Sequence, residues 1–291
     1  MHNDIIFPNL HITLHNVGSE ISINGFEIAY YGITIAIAMI IAGMVILKAA
    51  KNTNQSEDDY LDYIIWGIVI GVIGARVYYV AFSFELYKDN LLSIFNLRQG
   101  GLAIYGGIIF GVLAVFILSK KKKQDFLLIA DTAILGVPIA QAIGRYGNFF
   151  NREAFGQYSD GLFAMLLPID SVRSSSGITY EMMEHLVEID GVSYISVHPT
   201  FLYESIWNLV LFIILVLLHR YFRLNNNKPF NGFIFCLYLL IYGIGRFWIE
   251  ALRTDQLLIP GTVLPVSRVL AFFIVLVSLI SMAIGLLRNK G

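Results

Sequence analysis

Phe26–Lys48 reads FEIAYYGITIAIAMIIAGMVILK, and Pro265–Leu287 reads PVSRVLAFFIVLVSLISMAIGLL. Each stretch is long, almost uncharged and apolar on all sides. About 20 such residues carry an α-helix across the ~30 Å hydrocarbon core of a bilayer. Working outward from these two, five more windows of the same kind emerge: Tyr60–Phe84, Leu102–Ser119, Phe126–Phe149, Phe201–His219 and Gly232–Ala251. The fourth window in chain order, Phe126–Phe149, is interrupted by Asp131, Pro138 and Gln141. The whole composition agrees with seven spans. Of 291 residues 57% are hydrophobic and 14% charged, with mean hydropathy +0.69, whereas soluble domains carry about 25% charged residues. The sequence thus predicts an all-α polytopic membrane protein with seven transmembrane helices. Met1–Gly25 lacks a basic n-region, so no cleavable signal peptide is expected.

Charge counts narrow the function. Twenty Lys and Arg balance twenty-one Asp and Glu for a net charge of −1, which leaves no basic footprint for nucleic acid. A single cysteine, Cys236, excludes a disulfide scaffold and multi-cysteine metal sites. Basic residues fall unequally between the two sets of loops. Lys48, Lys51, Lys120–Lys123, Arg220, Arg223, Lys228, Arg288 and Lys290 make eleven on one side, against Lys88, Arg98, Arg152, Arg173 and Arg253 on the other. By the positive-inside rule the N-terminus is outside and the C-terminus inside. The long segment 150–200 then lies outside. Its Asp160-Gly161 and Asp190-Gly191 turns, and the alternating run VSYISV at 192–197, predict a small extracytoplasmic cap between spans four and five. Residues 1–291 are read as a single transmembrane domain carrying that cap.

Ionisable side chains within spans are costly and point to function. The densest run is GRYGNFFNREAFG, Gly144–Gly156. In a helix Arg145 and Asn148 share a face at i,i+3, and an Arg beside an amide suits a phosphate ester and neighbouring hydroxyls. A second run, YGIGRFWIEALR at 242–253, places Tyr242, Arg246, Glu250 and Arg253 on one helical face. Two readings stand for it. One is an Arg246–Glu250 pair that only neutralises two charges. The other is a second cationic anchor facing Arg145, with Glu250 and Glu153 orienting the guanidiniums. Further candidates are GGLAIYGG at 100–107, Tyr30-Tyr31-Gly32, and HPTFLYE at 198–204, in which His198 and Glu204 either act chemically or pin the cap to the bundle. No Gly-x-Ser-x-Gly, His-Glu-x-x-His or nucleotide fingerprint occurs. Neither metal nor cofactor is expected.

These motifs together resemble the bacterial prolipoprotein diacylglyceryl transferases. The likeness rests on GRYGNFFNREAFG and extends to GARVYYV at 74–80, GGLAIYGG, HPTFLYE and YGIGRFWIEALR. It implies a transferase in the bacterial cytoplasmic membrane, with its active site toward the extracytoplasmic face. The implied substrates are phosphatidylglycerol and the lipobox cysteine of a prolipoprotein signal peptide. A thioether forms and glycerol-1-phosphate leaves. Carried over by position, the family's catalytic residues fall on Arg145, Arg246, Glu153 and Tyr31, and its substrate-binding residues on Arg145, Asn148, Gly156, Tyr242 and Glu250; Tyr105 is expected, on its own chemistry, to bind substrate by positioning the headgroup or the peptide. Tyr105 stands where some members have His, and Val266-Ser267-Arg268 replaces a Met-Gly-Gln pattern. An anionic-lipid transporter or flippase is the alternative class. It would spread charge along a path through the bilayer, whereas these residues all lie in the outer half.

Overall fold

The computed structural model describes residues 3–97 and 100–289. Arg98 and Lys290, both counted in the loop charges above, lie outside the described residues. Seven helical segments among the described residues are long and apolar enough to cross a membrane, as the apolar windows predict. The chain divides into two compact units, residues 43–133 and the remainder.

In the larger unit the N-terminal residues form strands β1 (Ile5–Phe7) and β2 (Ile12–Leu14), then a hairpin of β3 (Glu20–Ile23) and β4 (Phe26–Ala29). Reading a span from Phe26 is corrected here: the helix α1 (Tyr30–Asn52) starts four residues later. Asn24 and Gly25, with φ of 51° and 82°, form the tight turn that closes the hairpin, and Asn-Gly is a strong signal for that geometry.

The smaller unit takes up the lower part of α1, with α2 (Glu57–Phe82), α3 (Ile104–Lys121) and α4 (Phe126–Ala133). Ser56 caps α2 by accepting the Asp59 N–H, and Glu57, Asp58 and Asp59 fill its first turn, where acid suits the helix dipole. Lys122 pairs with Asp59 and, at 2.6 Å, with Asp62. Helices α2 and α3 meet through glycine. A Cβ on Gly106 would sit 2.5 Å from the Gly74 carbonyl oxygen, so small residues here let the two backbones touch. The packing reading of GGLAIYGG therefore has a direct basis. Arg76, buried at the end of α2, donates to the carbonyls of Ile94, Ser93, Asn96, Gly100 and Gly101 at 2.7–3.2 Å. Carbonyl dipoles stand in for an acidic partner.

Back in the larger unit, a single 3-10 turn at Ile134–Gly136 precedes α5 (Val137–Asn151), with Pro138 in its first turn. A proline there lacks the donor that a continuous helix would need, which accounts for the break inside the fourth span. Strand β5 (Met165–Pro168), helix α6 (Tyr180–Glu184), and strands β6 (Val187–Ile189) and β7 (Val192–Val197) follow. The five-stranded sheet is antiparallel in the order β2-β1-β5-β7-β6. It therefore takes two strands from residues 5–14, which the sequence left without structure. Helices α7 (Thr200–Asn225), α8 (Phe233–Leu252) and α9 (Val266–Arg288) complete the chain. One apolar core joins sheet and helices: Ile5, Leu167, Ile195 and Val197 pack with Phe149 at the end of α5 and Phe201 at the start of α7. This core fixes the helix ends that carry the site.

Candidate active site

Arg145, two turns before the end of α5, makes two contacts. Its Nη1 donates to Asn148 Oδ1 at 3.3 Å, and its Nη2 lies 2.6 Å from Glu204 Oε2. Arg246 on α8 reaches the same carboxylate, Nη1 to Oε1 at 3.2 Å, and holds Glu250 Oε2 at 2.5 Å through Nη2. Glu204, on the first turns of α7, is only 4% exposed. Three helices thus converge on an alternating row of charges, Arg145–Glu204–Arg246–Glu250. Two cations and two anions cancel. An isolated guanidinium in this setting would be expensive, and the pairing removes most of that cost.

Both readings of the Arg246–Glu250 pair thereby gain a place, because the pair exists and Arg246 also shares a carboxylate with Arg145. The orienting role expected of Glu153 is not what the geometry gives. Glu153 pairs with Arg173 at 3.0 Å, while its Oε1 accepts from Asn148 Nδ2 at 3.0 Å and from Asn151 Nδ2 at 3.2 Å. Asn148 therefore links the two clusters, with its oxygen toward Arg145 and its amide nitrogen toward Glu153. Arg253 leaves the expected helical face. Helix α8 ends at Leu252, and Arg253 in extended backbone binds Asp255 through two hydrogen bonds at 2.9 and 2.7 Å.

The loop after α5 is built to bring Glu153 back over the helix end. Arg152 and Ala154 both adopt left-handed φ, 47° and 58°, and the Arg152 and Glu153 N–H groups close onto the carbonyls of Phe149 and Asn148. The Arg152 side chain then turns away from the cluster to donate to the carbonyls of Asn3 and Val17. It fastens the N-terminal segment. Gly156 sits where three segments meet, and its N–H donates to the His198 carbonyl at 2.9 Å. A Cβ at Gly156 would lie 2.7 Å from His198 Cβ and 3.0 Å from the Leu252 oxygen. Burial holds the His198 imidazole below its usual pKa, and its Nδ1 lies 3.2 Å from the Tyr203 hydroxyl.

Tyr31, at the second position of α1, lies against Gly147, where a Cβ would come within 2.3 Å of its ring. Tyr242 stacks on Tyr238 with ring centroids 5.5 Å apart, and the Tyr238 hydroxyl donates to Gln141, one turn before Arg145. Tyr105, at the start of α3, belongs to the smaller unit and is partly exposed. A small cavity lies beside the Asn148–Glu153 link, with Phe149, Met165 and Phe201 among its walls. The residue that sequence reading undervalued is Glu204. Its signal was present, a carboxylate on an apolar helix, but its two partners lie on other helices.

The match to known proteins follows this geometry. The family model "Prolipoprotein diacylglyceryl transferase" matches residues 19–284. A protein named phosphatidylglycerol–prolipoprotein diacylglyceryl transferase from Clostridioides difficile (strain 630) is 43% identical over 235 residues, 81% of this chain and 82% of that protein. One of the same name from Finegoldia magna is 39% identical over 259 residues, 89% of this chain and 92% of its own. Another, from Clostridium botulinum (strain Langeland), is 41% identical over 235 residues, 81% and 84% of the two chains. Since the match runs through all three helices that meet at Glu204, the chain belongs to the prolipoprotein diacylglyceryl transferase family.

Proposed function

We propose that this protein transfers the diacylglyceryl group of phosphatidylglycerol to the lipobox cysteine of prolipoproteins, at the extracytoplasmic face of the bacterial cytoplasmic membrane. The observation that carries the reading is the sharing of Glu204 by Arg145 and Arg246. A carboxylate gripped between two guanidiniums occupies the kind of position that suits a phosphate, since Arg forks bind both groups in the same planar way. The headgroup phosphate enters by taking over N–H donors from Glu204. Each guanidinium carries five of them.

In the reaction the cysteine sulfur attacks the glyceryl carbon that bears the phosphate. A C–S bond forms, the C–O bond breaks, and the electron pair leaves on glycerol phosphate. Charge grows on the departing oxygens, and the two arginines stabilise it in a site drier than water. The thiol proton ends on the leaving phosphate or on Glu153. Asn148 holds the glycerol hydroxyls, Gly156 keeps the backbone close, and Tyr31 and Tyr242 position lipid or peptide. Glu250 holds Arg246 in place. The excess of Lys and Arg on the opposite side supports an outward-facing site, because Arg145, Glu204 and Arg246 all lie at the low-charge end of their helices.

The test is in vitro. Purified protein in phosphatidylglycerol vesicles, given a lipobox peptide, should release glycerol phosphate and gain the diacylglyceryl mass on the peptide. Serine in place of the peptide cysteine should stop both. Release of glycerol phosphate without modification of the peptide would overturn the transfer reading.

A further inference from the structure

Among the described residues the β3–β4 hairpin forms a two-stranded sheet of its own. Its register is Glu20 with Ala29, Ile21 with Ile28, Ser22 with Glu27, and Ile23 with Phe26. Directly paired residues share a face, so one face carries Ile21, Ile23, Phe26 and Ile28, and the other carries Glu20, Ser22, Glu27 and Ala29. All eight residues are exposed, with Phe26 at 67%. A lone two-stranded hairpin with an uncovered apolar face is at best marginal in water. Something must cover it.

The chain shows what. Strand β4 ends at Ala29 and the spanning helix α1 begins at Tyr30 with no residue between, and the Tyr30 N–H donates to the Ser19 carbonyl at 2.9 Å. The hairpin is therefore clamped to the end of a membrane helix, beside Tyr30 and Tyr31, the residue type that favours the bilayer boundary. Helix α1 itself leaves Ile33, Ile37 and Ile40 exposed at i, i+4, i+7 spacing along one face, as a lipid-facing helix does. Neither Lys nor Arg occurs among residues 1–47, so anionic headgroups offer this segment no electrostatic attraction.

We infer that the β3–β4 hairpin lies in the outer membrane boundary with Ile21, Ile23, Phe26 and Ile28 turned into the acyl chains and Glu20, Ser22 and Glu27 turned to water. The occupant of the apolar face is lipid, bound by burial of apolar area as amphipathic interfacial elements are. This is independent of the transfer activity.

The experiment uses the full chain with Cys236→Ala, reconstituted in phosphatidylcholine vesicles. Ile21→Cys, Ser22→Cys, Phe26→Cys and Glu27→Cys are each labelled with an environment-sensitive fluorophore. Labels at 21 and 26 should emit blue-shifted and lose most of their intensity to lipids that carry a nitroxide near the headgroup, and less to lipids labelled at the chain end. Labels at 22 and 27 should instead be quenched by aqueous iodide. Adding anionic lipid or salt should leave the pattern unchanged. Equal iodide quenching at all four positions overturns the inference. So does shielding at 21 and 26 that appears only on adding lipobox peptide, which makes the face a peptide dock. Cross-linking between copies through position 26, without lipid quenching, makes it a self-association surface and overturns the inference as well.

Discussion

Glu204 joins two arginines that no local spacing connects, and its removal is the sharpest test at the scale of a residue. Glu204→Gln leaves Arg145 and Arg246 facing each other with Glu250 as the one remaining carboxylate of the row. Breaking a buried pair from one side costs about 3–5 kcal/mol. Both guanidiniums retain some exposure, so the lower end of that range is expected. Thermal unfolding in detergent should show a clear fall in Tm, together with loss of glycerol phosphate release. Glu250→Gln should fall less, because Arg246 keeps Glu204. A Glu250→Gln variant that folds normally yet is wholly inactive would place Glu250 in the chemical step instead. Arg145→Lys is the complementary case. An ammonium still pairs with Glu204, so stability should hold, but it cannot fork onto a phosphate. Turnover should fall at least tenfold, corresponding to about 1.4 kcal/mol of transition-state stabilisation, and near-normal turnover would sink the clamp. At this scale the sequence revealed the Arg246–Glu250 pair, which lies at i,i+4, and the Arg145–Asn148 contact at i,i+3. It misdirected Glu153, whose partner Arg173 lies in a loop with no periodicity to read.

Elements meet at glycines, and two of these in one segment should fail differently. Gly156 faces backbone and side-chain carbons from two other segments, and nothing there can swing aside. Gly156→Ala should therefore cost about 1–3 kcal/mol, the usual range for overpacking, and lower Tm with activity following it down. The three atoms nearest a Cβ on Gly147 all belong to the ring of Tyr31, which is partly exposed and can rotate away. Gly147→Ala should leave Tm nearly intact while turnover falls, because Tyr31 is displaced. The two are separated by measuring activity per folded molecule. The seven helices were legible because a bilayer imposes length and apolarity on each one separately. The short strands were not. Residues 5–7 pair with residues around 166, and a three-residue strand has no period of its own. The hairpin at 20–29 carried its Asn-Gly signal, but apolar residues on both sides of Gly25 and the run that follows disguised half of it as the start of a span.

Across the whole molecule, folding links to pH through groups outside the membrane. Burial lowers the pKa of His198, so the folded state favours the neutral ring. That contribution is fully present above the unfolded value of about 6.5 and is lost as pH falls below it toward the folded value. Tm should thus drop on acidification below about pH 6.5, and His198→Gln should drop less over the same window. Taking the difference between the two proteins removes the carboxylates common to both, and equal drops would exclude His198 as the source. The sequence also settled the chemistry class early, because charge is scarce in this chain and its few intramembrane ionisable residues cluster. What it withheld was the carboxylate between the arginines, a contact made only when three helices close. That contact has a consequence for how the protein is made. Ribosomes deliver Arg145 one span before Glu204 and two before Arg246, so the fourth segment reaches the insertion machinery as a cation without its counterion. A guanidinium at a helix centre opposes insertion by roughly 2.5–3.5 kcal/mol, and Arg145, nearer the end of its span, bears a smaller share of that cost. Nascent chains cut before Glu204 should therefore integrate that segment poorly, and chains extended past Arg246 should integrate it well, when scored by glycosylation mapping.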